Sequence, residues 1–154
     1  MLNKGDKAKD FTLSSDKGEK ITLSSFTGKS NVILYFYPKD DTPGCTTEAC
    51  DFRDNFASIN KKGTVVLGVS PDDIQSHQKF ISKQNLNFTL LSDPDHKVAE
   101  MYGAWGEKKN YGRVYEGLIR STFIIGKDGL IKEAFYNVKA TGHVQKVVAR
   151  LESL

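Results

Sequence analysis

The apolar residues of the chain fall into short runs that predict a buried sheet. Residues 31–37 form a near-continuous apolar and β-branched run, which is typical of a strand buried on both faces, as in a parallel sheet. Residues 64–69 predict a second buried strand, and residues 88–91 predict a short third one. These runs indicate the central strands of an α/β protein.

Two further pairs of apolar segments predict hairpins. Residues 11–13 and 21–23 alternate apolar and polar positions around a polar turn, which predicts an N-terminal β-hairpin. Residues 118–125 and 130–138 flank Gly-Lys-Asp-Gly, whose turn chemistry favours an antiparallel hairpin. Residues 103–112 show no clear period, so the pattern assigns no element to them.

Apolar spacings of three and four predict four helices. The first runs from about Thr42 to Lys61, and the second follows Pro71-Asp72-Asp73 with an apolar stripe over residues 74–81. His77 lies on this stripe, and we expect it at the boundary of the core rather than as a ligand. Residues 95–102 predict a short helix. The last helix carries an apolar stripe formed by Val144, Val147, Val148, Leu151 and Leu154.

The composition is that of an ordinary soluble domain. The 154 residues are 38% hydrophobic and 27% charged, which allows a real core, and we expect a single domain over residues 1–154. The net charge of +3 comes from scattered residues and does not favour nucleic acid or membrane as a partner. No stretch approaches the roughly 18 apolar residues of a membrane span, and residues 1–6 lack the apolar region of a signal peptide. We therefore expect a cytoplasmic protein.

Both cysteines lie in one segment, residues 38–53, directly after the first buried strand. Thr42 followed by Pro43 is a typical helix start, because the hydroxyl can cap a free backbone N–H and the fixed φ of proline suits the first helical position. Cys45 then falls in the first turn, where unpaired N–H groups and the positive end of the helix dipole favour a thiolate. Cys45 also opens the apolar stripe formed by Cys45, Ala49, Phe52, Phe56 and Ile59. A buried nucleophile is the predicted chemistry.

Cys50 occupies a different face of the same helix. Five residues correspond to a rotation of about 140° and a rise of about 7.5 Å, so the two Cα atoms would be roughly 8 to 9 Å apart. A disulfide requires Cα atoms within about 7 Å, so either the cysteines never bond or the first turns unwind. A nucleophilic cysteine with a second thiol that reaches it only after local unfolding is a peroxidatic and resolving pair. A lone cysteine on an apolar helix face is more often just a small buried hydrophobe. That explanation does not account for Cys50 on a polar face, or for the Pro-Gly turn directly before Cys45.

Other kinds of site are not indicated. The three histidines, His77, His96 and His143, are far apart and share no metal-ligand spacing with the cysteines, so a zinc site is not expected. The chain has no Cys-x-x-Cys, no GxGxxG and no P-loop. We expect neither a metal nor an organic cofactor.

The segment Pro38-x-x-x-Thr42-x-x-Cys45, extended as Thr-Pro-Gly-Cys-Thr-x-Glu-Ala-Cys, resembles the signature of thiol peroxidases of the peroxiredoxin family. The second cysteine five residues on resembles the bacterioferritin comigratory protein (PrxQ) branch of that family. Further matches are Gly5-Asp6-Lys7-Ala8, Asp10-Phe11-Thr12-Leu13, Gly68-Val69-Ser70-Pro71-Asp72, Leu91-Ser92-Asp93-Pro94, Tyr102-Gly103 and Arg120-Ser121-Thr122-Phe123-Ile124-Ile125. The chain departs at Lys9, where the family usually has proline, and at Gly126, where it usually has aspartate.

The resemblance implies a thioredoxin-like fold, a central mixed sheet flanked by helices, with an added N-terminal β-hairpin. It implies that Cys45 attacks hydrogen peroxide or an organic hydroperoxide and that Cys50 then forms an intramolecular disulfide with it, which thioredoxin reduces. Arg120 matches the active-site arginine of the family, Thr42 would supply a hydroxyl, and Pro38 would shield the thiolate. We expect a monomer.

Two alternatives remain open at this stage. The same disulfide can serve as the switch of a redox-regulated sensor or chaperone-like binding protein, in which turnover of peroxide is incidental. Glu48 is either a partner of the helix dipole in the first turn or a hydrogen-bonding support of the site.

Overall fold

The computed structural model describes residues 1–154 and shows nine strands and five α-helices. The strands are β1 (Thr12–Ser15), β2 (Lys20–Thr22), β3 (Asn31–Phe36), β4 (Thr64–Ser70), β5 (Thr89–Ser92), β6 (Trp105–Asn110), β7 (Arg113–Leu118), β8 (Ser121–Ile125) and β9 (Ile131–Phe135). The helices are α1 (Pro43–Asp54), α2 (Phe56–Lys61), α3 (Ile74–Gln84), α4 (Lys97–Met101) and α5 (His143–Glu152). No helix combines the length and the apolar surface needed to span a bilayer.

Seven strands form one mixed sheet in the order β2-β1-β5-β4-β3-β8-β9. The central strand β3 runs parallel to β4 and antiparallel to β8, and β4 runs parallel to β5. The hairpin β1–β2 extends one edge through antiparallel pairing of β1 with β5. The predicted α/β architecture, the buried early strands and both predicted hairpins are confirmed.

The sheet has an apolar layer on each face, and β3 contributes alternate residues to the two layers, as the pleat of a strand requires. One layer contains Val32, Leu34, Phe36, Leu91, Tyr102 and Phe123. The other contains Ile33, Tyr35, Tyr37, Cys45, Phe52, Phe80 and Val147. The second layer is covered by α1, α2, α3 and α5, so the helix that carries both cysteines packs directly on the central strand.

The predicted helix from Thr42 to Lys61 is wrong in its continuity, because the chain forms two helices with a break at Asn55. The side-chain amide of Asn55 donates to the carbonyl of Asp51 at 2.8 Å. The backbone N–H of Asn55 donates to the same carbonyl, so the side chain and the backbone share one acceptor. Asparagine often breaks a helix in this way. The last predicted stripe is also too long, because α5 ends at Glu152 and Leu154 is exposed.

Residues 103–112, which have no clear sequence period, contribute to a two-stranded sheet formed by β6 and β7. The turn between these strands is Tyr111-Gly112, and both residues have positive φ, at 50° and 76°, as a tight type I′ hairpin turn requires. The hairpin is largely exposed, so it lacks the apolar alternation that would have revealed it. The strand predicted over residues 118–125 begins later than expected, since β8 begins at Ser121 and Leu118 is the last residue of β7.

His77 is fully buried in α3, whereas the sequence pattern predicts it at the boundary of the core. Both of its ring nitrogens have hydrogen-bond partners, the carboxylate of Asp40 and the carbonyl of Leu91. A buried histidine avoids the cost of an unsatisfied polar group only when both ring nitrogens have hydrogen-bond partners. No local pattern indicates these two partners, because both are distant in the sequence.

Candidate active site

The candidate site lies where β3 ends and α1 begins. Pro38 is half-buried in the connecting loop, and its predicted shielding of the thiolate stays a prediction. Thr42 precedes α1 in an extended conformation, and Pro43 occupies the first helical position, as predicted. Cys45 follows in the first turn and is only 1% exposed, on the face that packs against the central strand.

The predicted capping role of the Thr42 side chain is wrong. Its hydroxyl makes no bond to an N–H of α1 and instead donates to the carbonyl of Lys39 at 2.9 Å. The first four N–H groups of a helix have no partner within the helix. Because the Thr42 oxygen does not occupy them, these donors can still stabilise a negative charge at Cys45.

Arg120 directly contacts the cysteine. Its Nη2 lies 3.3 Å from the Sγ of Cys45, and its side chain is only 15% exposed. Arg120 immediately precedes β8, whose first residue Ser121 pairs with Phe36, the last residue of β3. Antiparallel pairing therefore brings the residue before β8 next to the loop that follows β3. The guanidinium carries a fixed positive charge that stabilises a thiolate within this distance.

Gly44 leaves room for this approach. A Cβ atom at residue 44 would lie 3.2 Å from Nη2 of Arg120, which is closer than carbon and nitrogen normally approach without displacement. A larger residue at this position would push the guanidinium away from Cys45.

Glu48 holds the other side of the guanidinium. Its Oε1 accepts from Nη1 of Arg120 at 2.6 Å, and the Glu48 side chain is fully buried. Burial raises the pKa of Glu48 to about 7, although the positive charge of Arg120 acts in the opposite direction. The sequence left two roles open for Glu48, a partner of the helix dipole or a hydrogen-bonding support of the site. Its contact with Arg120 matches the second role. Its second oxygen has no hydrogen-bond partner.

Cys50 lies on a different face of α1 and is half-exposed. Its thiol donates to Oε1 of Gln84 in α3 at a sulfur–oxygen distance of 3.6 Å. Both cysteines are free thiols, and α1 is continuous from Pro43 to Asp54. Residues five apart on a continuous helix have Cα atoms roughly 8 to 9 Å apart, so this conformation cannot form a disulfide between them.

Comparison with known proteins identifies the family of the chain. A protein-family model described as "AhpC/TSA family" matches residues 4–134. The chain belongs to the AhpC/TSA family. It is 52% identical to a putative peroxiredoxin bcp of Coxiella burnetii, over 96% of this chain and 97% of that protein. It is 46% identical to the peroxiredoxin Bcp of Escherichia coli K12, over 92% of this chain and 90% of that protein.

Solved structures of the AhpC/TSA family have the same fold. A cysteine-to-serine mutant of Xylella fastidiosa PrxQ superimposes with a TM-score of 0.92 at 36% identity, covering 99% of this chain and 97% of that one. The bacterioferritin comigratory protein of Xanthomonas campestris superimposes with a TM-score of 0.88 at 38% identity, covering 93% and 90% of the two chains. The thioredoxin-like fold and the resemblance to the bacterioferritin comigratory protein (PrxQ) branch are confirmed.

Two residues of this AhpC/TSA protein, His143 and Lys108, border the site, although no sequence pattern indicated a role for them. His143 accepts or donates at Nε2 with the hydroxyl of Thr122 at 2.8 Å, and burial together with the charge of Arg120 lowers its pKa to about 4. Lys108 reaches in from β6 and donates to the carbonyl of Leu118 at 2.8 Å. Burial and Arg120 lower the pKa of Lys108, which places its ammonium group in the same basic environment. Lys108 could not be placed from the sequence, because the β6 segment has no clear apolar period and was assigned to no element.

Proposed function

We propose that this chain is a single-domain thiol peroxidase, residues 1–154, that reduces hydrogen peroxide and organic hydroperoxides. The observation that carries the proposal is the contact of 3.3 Å between Nη2 of Arg120 and Sγ of Cys45 at the first turn of α1. The Xanthomonas campestris relative was described for its alkyl peroxide reduction activity, which supports organic hydroperoxides as substrates here.

In the first step, the Cys45 thiolate attacks the terminal oxygen of the peroxide and the O–O bond breaks. Sulfur is oxidised to a sulfenic acid, and the departing oxygen takes a proton and leaves as an alcohol or as water. Negative charge develops on both oxygens, and Arg120 donates to them while it releases the thiolate. The Thr42 hydroxyl supplies a second donor after it leaves the carbonyl of Lys39, and Pro38 limits the access of water.

In the second step, the Cys50 thiol condenses with the Cys45 sulfenic acid, which forms a disulfide and releases water. Unwinding of the first turns of α1 brings the sulfurs together. An external dithiol protein, thioredoxin, then reduces the disulfide by thiol–disulfide exchange. Because both cysteines lie on one helix, no second copy is required, and we assign the activity to a monomer in the reducing cytoplasm.

Steady-state peroxide consumption with thioredoxin and its reductase tests the proposal. The wild-type protein should turn over many equivalents, because the disulfide is recycled. Cys45→Ser should abolish turnover, since Cys50 lies on the wrong helix face and lacks the arginine. A wild-type protein that stops after one equivalent would instead support the redox sensor, and near-normal turnover by Cys45→Ser would exclude Cys45 as the nucleophile.

Cys50→Ser separates the two steps. This variant should consume the first equivalent of peroxide at the wild-type rate and then lose thioredoxin-coupled turnover, with Cys45 accumulating as sulfinic acid. Intact mass spectrometry distinguishes the products, because a disulfide is two hydrogens lighter and a sulfinic acid is two oxygens heavier than the reduced chain. Unchanged coupled kinetics would exclude Cys50 as the resolving residue.

A further inference from the structure

A buried polar network surrounds Asp40, in the loop just before the candidate site. Asp40 is 7% exposed, and its Oδ2 accepts from Nδ1 of His77 at 2.7 Å and from the hydroxyl of Ser76 at 2.9 Å. Its Oδ1 accepts from the hydroxyl of Tyr37, and its backbone N–H donates to Oδ2 of Asp72 at 2.7 Å. Both carboxylate oxygens of Asp40 therefore accept hydrogen bonds, and two of the donors, Ser76 and His77, belong to α3.

The partners of His77 determine its protonation. Nε2 lies 2.9 Å from the carbonyl of Leu91, which can only accept, so this nitrogen carries a hydrogen. Nδ1 faces the carboxylate of Asp40, which also accepts, so the ring is an imidazolium. Burial lowers the pKa of His77, but the hydrogen bond and charge of Asp40, with a contribution from Asp72, outweigh it and raise the pKa above 6.5. With both nitrogens engaged, His77 offers no lone pair to a metal.

A short loop with a strained backbone connects the Asp40–His77 pair to Cys45. Asp40 precedes Thr42 by two residues and Cys45 by five. Between them, Asp41 has a φ of 61°, a left-handed conformation that costs a residue other than glycine about 1 kcal/mol or more and persists only when its surroundings impose it. The Asp41 carboxylate also binds Nζ of Lys83 on α3 at 2.9 Å, but this second contact is solvent-exposed. The buried Asp40–His77 pair is thus the firm connection between this loop and α3.

We propose that Asp40 and His77 are positioning residues: their buried ion pair holds the loop in the conformation that presents Cys45 and Thr42 to peroxide and opposes unwinding of the first turn of α1. This inference deepens the proposed function and rests on it. A buried ion pair contributes little net stability compared with an apolar pair of similar size, so stability alone does not account for its presence. Misplacement of a reacting group by about 1 Å can cost up to about a hundredfold in rate, so a firm loop has a kinetic consequence.

The test compares two substitutions of His77 with a control on the same helix. His77→Phe keeps the volume and removes the donor to Asp40. His77→Asn keeps a donor at the place of Nδ1 and loses the bond to Leu91. Lys83→Ala removes the exposed contact to Asp41 and serves as the control. The measurements are the second-order rate of Cys45 oxidation by peroxide and amide hydrogen exchange of residues 42–50 in the reduced protein.

In His77→Phe we expect peroxide to oxidise Cys45 about tenfold more slowly than in wild type. The backbone amides of residues 42–50 should exchange faster, at temperatures at which the variant is still folded. His77→Asn should react within about twofold of wild type, and Lys83→Ala should match wild type. A merely structural histidine would lower the unfolding temperature and leave both measurements unchanged. Wild-type rate and exchange in His77→Phe, or a His77→Asn variant as slow as His77→Phe, would overturn the proposal.

If His77→Phe does not fold, the pH profile of His77→Asn decides the question. The wild-type oxidation rate should fall at alkaline pH, where His77 loses its second proton, and His77→Asn should lack this fall. The same alkaline fall in both proteins would overturn the proposal. Amide exchange in the reduced protein needs no peroxide, so the two proposals can fail separately. A wild-type protein that does not reduce peroxide would refute the proposed function, whereas faster exchange across residues 42–50 in a folded His77 variant would still show that the ion pair holds this loop.

Discussion

Glu48→Gln tests the electrostatics of the candidate site through the pH dependence of stability. The substitution keeps the shape of the side chain and the acceptor for Nη1 of Arg120, and it removes the titrating group. Burial raises the pKa of Glu48 from its ordinary 4.5 to about 7. The folded state therefore holds a proton that the unfolded chain releases between these two pH values, so folding becomes less favourable as pH rises through this window.

The size of the effect follows from the raised pKa. One pKa unit corresponds to about 1.4 kcal/mol, so the ionisation of Glu48 lowers the free energy of unfolding of the wild-type protein by about 3 kcal/mol across the whole window. Between pH 5 and pH 8 about 2 to 3 kcal/mol of this change should be measurable, because the unfolded carboxyl is already partly ionised at pH 5. Glu48→Gln lacks this loss and should gain stability relative to wild type by that amount.

Urea denaturation of reduced wild-type and Glu48→Gln protein at pH 5 and pH 8 measures the difference. His143, whose pKa is lowered to about 4, is present in both proteins and its contribution largely cancels. Glu133→Gln is the matched control. The hydrogen bond to Arg150 lowers the pKa of Glu133, so the stability that this glutamate contributes is lost only as pH falls below about 4.5, and its variant should show no relative change between pH 5 and pH 8.

Two results would refute this reasoning about Glu48. A stability difference between wild type and Glu48→Gln that is the same at both pH values would mean that the carboxyl does not titrate in this range. A wild-type protein that gains stability relative to Glu48→Gln as pH rises would mean that the attraction of Arg120 exceeds the penalty of burial, and that Glu48 is ionised throughout.

Two further predictions concern Arg120 and the oxidised helix. Arg120→Ala should slow the first oxidation step by about tenfold or more, because the guanidinium at 3.3 Å stabilises the negative charge on sulfur and on the peroxide oxygens, and a wild-type oxidation rate in this variant would exclude a role for Arg120 in the reaction. Oxidation to the disulfide should speed amide exchange across residues 42–53 while β3 and β4 stay protected, and equal protection of residues 42–53 in the reduced and disulfide forms would mean that the cysteines do not pair.

The elements that the sequence predicted well are those with a strong local period. The run at residues 31–37 and the stripe from Cys45 to Phe52 carry their signal within a few neighbouring residues, and both are present in the structure. The break at Asn55 and the hairpin of β6 and β7 were missed, because one depends on a side chain bonding its own backbone and the other on an exposed turn without an apolar face.

The site was predictable only in part. The local sequence around Cys45 indicated a nucleophile in a first turn, whereas Arg120 was found only through the family resemblance, since no local pattern reveals which distant residue the pairing of β3 and β8 brings to the site. The partners of Glu48 and His77 depend on the same long-range register. The local pattern placed His77 on the apolar stripe of its helix and left two roles open for Glu48, but it could not show which distant residues these two side chains contact.

The positions of these contacts along α1 explain how one helix can both hold a nucleophile and release it. In the first turn Cys45 is the only buried side chain, and a charged residue, Arg120, contacts it. Further along, Phe52 is fully buried and its ring lies 4.6 Å from that of Tyr35. Unwinding the first turn therefore breaks polar contacts and exposes little apolar surface, whereas unwinding beyond Phe52 would expose a large aromatic side chain, at a cost of about 2 to 3 kcal/mol. The core thus sets the limit of the unwinding, and the amide exchange of the disulfide form should decrease from the first turn toward Phe52.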